Sequence, residues 1–315
     1  MPSPPRTRTA SRLAALAGLA AGLLAVLVGC ETVRPDSPHD AAHAAAAGSA
    51  RGAEPSGPPA AQSATHAPPG KHATRRGYYV FYHDFELDPA DPLFAELEAL
   101  PDQVFGELRL PPGNTVVQVF LFDTQDRYER YMRARYRDLP NRRAYMIAEP
   151  RLGGGPDELK VFTWMGDHLR TDLRHELTHA LLRAVLKEVP LWLDEGLAGF
   201  FELPPDHDGV NANHLEILRR GPFQPDLTRL ERLDKVRQME KPEYREAWAW
   251  VHLMLRGSPE AGSVLRDYLQ ALRTSPNPGP LLPRLKEVLA DPDHELAEHL
   301  ARLAPPAGRP SPKRR

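Results

Sequence analysis

Two histidines stand four residues apart in the run LRHELTHALL, residues 173–182, and Glu176 directly follows the first. On a helix, positions i and i+4 share a face, so His175 and His179 present their imidazoles side by side to one ion. Zinc accepts imidazole nitrogen at about 2.0–2.1 Å in tetrahedral sites. Glu176 is rotated by about 100° from His175 around the helix. It is badly placed to share the ion and well placed to reach a water bound to it, which is the position of a general base. A chance match to this pattern has no reason to bring a third ligand, whereas catalytic zinc holds three protein ligands and leaves a fourth position to water.

The best candidate for the third lies in VPLWLDEGLAGFFE, residues 189–202. Pro190 breaks the first helix and a second begins. Glu195 follows His179 after 15 intervening residues, enough for an antiparallel helical hairpin. Leu191, Trp192, Leu193, Leu197, Phe200 and Phe201 supply apolar packing, and a glutamate buried among them is costly unless paired or metal-bound. Gly196 and Gly199 remove bulk beside Glu195 and are expected to let the second helix approach the first. Asp194 either supports a ligand histidine from behind or is a charge at the helix start. His168, His207 and His214 have neither motif nor spacing, and His252, among Trp248, Val251 and Leu255, reads as a core histidine.

H-E-L-T-H followed by WLDEGLAGFF resembles the gluzincin zinc metallopeptidases, specifically the peptidase-MA-like domains of bacterial envelope proteins and, more distantly, the aminopeptidase N family. The resemblance covers roughly residues 77–275. It implies an α+β, zincin-like fold with one Zn2+ held by His175, His179 and Glu195. It implies Glu176 as general base in the hydrolysis of peptide bonds by a zinc-activated water. Families of this kind also use a tyrosine at the start of a later helix to stabilise the oxyanion. PEYREAWAWVHLML matches that helix start and makes Tyr244 the candidate, against the plainer role of a tyrosine seating a helix on the core. By the same resemblance, LKVFTW, residues 159–164, is the sheet edge that aligns an extended peptide.

Two features depart from the pattern. Gly199 stands where thermolysin-type enzymes carry an aspartate behind a ligand histidine, so another group must orient that imidazole. There is also no distinct glutamate motif for gripping a free amino terminus, which weakens an exopeptidase reading. Two other functions keep the same residues: a non-catalytic envelope binding module, and a zinc hydrolase of non-peptide amides. The completeness of the set His175, Glu176, His179 and Glu195 speaks against a decayed site.

Such a site needs a scaffold, and the chain has room for one. It has 315 residues, 41% of them hydrophobic, and 40 Lys+Arg balance 42 Asp+Glu, so nothing points to nucleic acid. Arg6, Arg8 and Arg12 precede an uncharged stretch from Leu13 to Gly29 and then the only cysteine, Cys30. That is secretory leader architecture, with a retained signal anchor as the alternative. LVGC, residues 27–30, resembles the lipobox of bacterial lipoproteins. The expectation is therefore a signal peptide over 1–29, lipid on Cys30, and a place in the cell envelope facing the periplasm, with Glu31 favouring the outer membrane. Residues 30–76, rich in Ala, Pro and Gly, read as a disordered tether, and 306–315 as a basic tail.

Between them, 77–305 reads as the peptidase domain: sheet elements over 77–170, then active-site and C-terminal helices over 171–305. GYYVFYHDF and TVVQVFLF read as strands, with a helix from Asp91 to about Leu108 between them. A helix capped by Asp123 or Thr124 follows, then the shorter strands RAYMIAE and LKVFTW around a glycine-rich loop. Seven arginines between Arg127 and Arg143 read first as a solvated helix face, and second as an anionic-surface or substrate patch.

Overall fold

A computed structural model describes residues 26–28 and 67–304. The fold is mixed α+β. Strands β2 (His72–Arg76), β3 (Tyr79–His83), β4 (Val117–Phe122), β5 (Tyr145–Glu149) and β6 (Glu158–Trp164) lie in the order β5-β6-β4-β3-β2. β4 is parallel to both β3 and β6, while β2 and β5 run antiparallel to their neighbours. A three-residue strand, β1 (Val26–Val28), pairs antiparallel with the outer side of β5.

The parallel pairs need crossovers, and α1 (Pro92–Leu108) and α2 (Gln125–Arg135) lie in them. The period-2 alternation of the strands then feeds two cores. On one face Tyr79, Phe81, Val119, Leu121, Met146 and Val161 pack with α1 and with α3 (Leu169–Val185). On the other, Phe122, Ile147, Phe162 and Trp164 pack with Tyr128, Tyr131 and Met132 of α2. The arginines of α2 face outward into ion pairs with Asp84, Asp126, Glu129 and Glu149, as expected of a solvated face.

The remaining chain is helical: α4 (Leu191–Phe201), α5 (Ala212–Arg220), α6 (Leu227–Leu230), α7 (Lys241–Arg256), α8 (Pro259–Leu272), α9 (Leu282–Lys286) and α10 (Pro292–Arg302). Among the described residues no helix is long and apolar enough to cross a membrane. Cys30, the tether up to residue 66 and the basic tail lie outside the described residues.

Three details differ from the sequence reading. Order begins before residue 77, because His72–Arg76 forms a strand whose exposed polar side chains need only the backbone of β3 as partner. LKVFTW is not a sheet edge: β6 is paired on both sides, and β5 flanks it. Gly196 serves contact between α4 and α7 rather than between α4 and α3. A Cβ there would meet Ala247 O at 2.5 Å and Val251 Cγ2 at 2.8 Å, whereas one on Gly199 would meet nothing closer than Trp248 Cβ at 3.8 Å. Glu195 faces α3, so its neighbour, a quarter-turn round the helix, faces away.

Candidate metal centre

α3 carries His175, Glu176 and His179, and it is buried on almost every side: all residues from Asp172 to Leu182 are inaccessible. A helix apolar on one face only would leave part of this segment wet; here the sheet, α1 and α4 enclose it. Pro190 ends the connection and α4 returns against α3, which brings Glu195 to the histidines as the hairpin spacing predicts.

The three side chains converge. Glu195 Oε2 lies 3.3 Å from His175 Nε2 and 3.8 Å from His179 Nε2, and one donor atom from each residue fits within 4.8 Å. Tetrahedral bonds of about 2.0–2.1 Å separate donors by about 3.3 Å, so the donor set fits zinc in type, with the Glu195–His175 pair at that spacing and the Glu195–His179 pair wider. His179 Nε2 and both carboxylate oxygens of Glu195 are buried with no hydrogen-bond partner, an arrangement that costs stability unless a cation completes it.

The opposite nitrogens are held from behind. Glu202 Oε2 lies 2.9 Å from His175 Nδ1, and Asp194 Oδ1 lies 3.1 Å from His179 Nδ1, somewhat off the line of a good hydrogen bond. A carboxylate on Nδ1 fixes the proton there and leaves Nε2 as the ligating atom. Of the two places open to Asp194, the structure puts its carboxylate behind His179. Glu202 was not anticipated, although the signal existed: seven residues past Glu195, it returns to the same helix face and fills the place vacated at Gly199. Its position is set by Arg174, which is 1% exposed. Arg174 donates to Phe201 O at 3.0 Å and Leu203 O at 2.8 Å, satisfying carbonyls at the end of α4.

Glu176 is fully buried beside the histidines. Burial pushes its carboxyl up to about 7, with His179 and His175 pulling it down and Glu195 and Asp172 adding to the rise. A base near neutrality suits proton transfer at ordinary pH.

Tyr244 stands in the first turn of α7, half-buried. That turn is anchored by the reciprocal capping of Glu240 and Glu243 and by Arg229, which pairs with Glu243 at 2.6 Å and Glu246 at 2.5 Å. The Tyr244 hydroxyl accepts from Arg142 Nη2 at 3.3 Å. Burial draws the Arg142 guanidinium down, but Tyr244, Glu195 and Tyr145 outweigh it and keep its pKa above the usual arginine value. Tyr244 hydrogen-bonds this cation, and the charge of Glu195 acts on it as well. A cleft of about 1240 Å³ opens here, lined by Arg142 and Tyr145 on the sheet side, His179 and Asp194 on the hairpin, Met239 just ahead of α7 and Pro242 in its first turn.

His252, expected in the core, is buried and meets His299 there, Nδ1 to Nε2 at 2.8 Å. His168 and His214 are not part of the cluster of His175, His179 and Glu195, as their lack of motif implies. Comparison with known protein families and with curated proteins finds no match for this sequence.

Proposed function

We propose that the chain is a zinc-dependent peptidase of gluzincin type on a zincin-like fold, tethered to the bacterial envelope by lipid on Cys30. The observation that carries this is the convergence of His175, His179 and Glu195, with a carboxylate behind each histidine and the buried Glu176 beside them. Zinc bound there would polarise a carbonyl and acidify a water molecule. Glu176 takes the water's proton during attack and returns it to the leaving amine. Tyr244 donates its hydroxyl to the carbonyl oxygen as negative charge develops on it. β5, rather than β6, is the strand along which an extended peptide would lie, because its outer side is paired only with Val26–Val28, a segment of the expected leader that lipidation at Cys30 would remove.

The test is incubation of the zinc-loaded protein with a mixed peptide library, read by mass spectrometry, beside Glu176→Gln. The variant should keep its zinc and lose turnover by a factor on the order of 10²–10⁴. A wild type that holds zinc and cleaves nothing at any pH tested overturns the reading, and equal behaviour of the two proteins points to a binding module. Cys30→Ser should abolish lipid labelling and release the protein from membranes; unchanged labelling refutes the anchor.

A further inference from the structure

Of the seven arginines between positions 127 and 143, Arg127, Arg130, Arg133, Arg135 and Arg143 are ion-paired and Arg137 is exposed. Arg142 is set apart. Among the described residues no carboxylate lies within ion-pair distance of it. Its Nη2 donates to Tyr244, and its Nη1 is shut from solvent with no hydrogen-bond partner. An incompletely satisfied guanidinium in a protein interior is costly unless an anion completes it.

The loop that carries it is fastened from three elements. Tyr128 of α2 donates to Arg142 O at 2.9 Å, Tyr145 of β5 donates to Pro140 O, and Thr163 of β6 donates to Arg143 O at 3.3 Å. Arg143 then grips both oxygens of Asp172, at 3.1 and 2.7 Å, on the metal helix one turn before His175. A loop held at three carbonyls and tied to the metal helix presents its remaining arginine in one place. That place is on the wall of the cleft that His179 and Asp194 also line, with the Tyr244 hydroxyl 3.3 Å from the guanidinium.

The geometry points to Arg142 as a further catalytic residue of the proposed peptidase: its guanidinium and the Tyr244 hydroxyl together bind the oxyanion of the tetrahedral intermediate. This rests on the reading of the site as a peptidase. Water oxygen bonds to the carbonyl carbon and the C=O π pair moves onto oxygen, which Arg142 and Tyr244 stabilise. The water's proton goes to Glu176. The oxygen pair then re-forms C=O as the C–N bond breaks, and the proton passes from Glu176 to the amine. Arg142 neither gains nor loses a proton. Guanidinium suits the task because it stays charged in a desolvated cleft and offers parallel N–H donors to one anion.

The experiment uses the zinc-loaded full chain and inorganic phosphate as a tetrahedral anion, with binding read by calorimetry for wild type, Arg142→Met, Arg142→Gln and Arg142→Lys. Zinc content should be the same in all four. Phosphate affinity should fall about 10- to 100-fold in the methionine and glutamine variants, and less in the lysine variant. On a peptide found to be cleaved, Arg142→Met should lower kcat by about 10²–10³ with KM little changed. The glutamine variant carries the comparison if the methionine variant fails to fold. Phosphate binding within twofold of wild type in Arg142→Met or Arg142→Gln overturns the assignment, as does a wild type that binds no phosphate. So does a kcat loss no greater than, and not additional to, that of Tyr244→Phe, which would make Arg142 a tether for the tyrosine. The phosphate series decides on Arg142 even if no peptide is cleaved. Cleavage combined with unchanged phosphate binding would remove Arg142 and leave the peptidase standing.

Discussion

Replacing Glu202 should weaken zinc binding without touching a ligand. Glu202 is 8% exposed; Oε2 lies 2.9 Å from His175 Nδ1, and Oε1 accepts from Asn211 Nδ2 at 3.3 Å. Glu202→Ala removes the acceptor that keeps the His175 proton on Nδ1, so the ring is free to turn and to carry its proton on Nε2, where the metal must bind. A hydrogen bond to a charged group contributes about 1.5–3 kcal/mol. Loss of an outer partner of a metal-binding histidine typically lowers affinity about 10- to 100-fold, equivalent to about 1.4–2.7 kcal/mol, so the two estimates agree. Glu202→Gln is harsher than its shape suggests. Its one oxygen can accept from His175 or from Asn211, and the amide NH2 then faces a second donor unless Asn211 turns over. Zinc affinity should fall about tenfold for glutamine and approach 100-fold for alanine, measured by competition with a chromophoric chelator, with circular dichroism confirming the fold. An alanine variant that is folded and binds zinc within twofold of wild type would refute the view that Glu202 sets the ligand.

The two glycines of α4 should behave oppositely. Gly196→Ala drives a methyl to 2.5 Å from Ala247 O and should destabilise by about 1–3 kcal/mol, while Gly199→Ala has room and should gain up to about 1 kcal/mol from helix propensity; thermal unfolding of both decides. The His252–His299 pair makes stability pH-dependent. Burial, with His299 and Arg256 adding to it, lowers His252 to about 4, and burial with Arg302 lowers His299 likewise, against about 6.5 unfolded. The unfolded chain binds more protons between these values, so the pair's contribution is whole above about pH 6.5 and is lost as pH falls toward 4. From pH 7 to 5 the loss is about 2 kcal/mol per imidazole. Urea unfolding at several pH values should show a slope of this sign from the pair, reduced in His299→Leu by about one imidazole's share; an unchanged slope in that variant rules the pair out.

What could be read in the sequence was local. The ligand helix, its proline-broken return and the spacing to Glu195 follow from helical periodicity and from one chain-breaking residue. Strand order is not local. The resemblance to gluzincins makes LKVFTW the edge, yet β5, an earlier segment, pairs outside it. Nothing in the sequence singled Arg142 out from the seven arginines of its segment, since its position depends on three hydroxyls from α2, β5 and β6. His72–Arg76 was hidden for a different reason: a strand that only caps an edge need not bury alternate side chains.

The hairpin and the candidate metal site are one construction. Arg174 grips the carbonyls of Phe201 and Leu203 on either side of Glu202, and Glu202 in turn holds His175, the residue after Arg174. Adjacent residues on α3 thus lock adjacent residues at the end of α4, so the force that closes the hairpin also aims the imidazole. Arg174→Met should separate this from a purely structural arginine. Breaking the buried contacts to two carbonyls, Gln103 and Glu96 should cost about 3–5 kcal/mol of apo stability. Zinc affinity should also fall by roughly the factor seen in Glu202→Ala, and in the double variant the two affinity losses should not add, because both act through the same imidazole. If Arg174→Met lowers the melting temperature but binds zinc as wild type does, the closing of the hairpin and the aiming of His175 are independent.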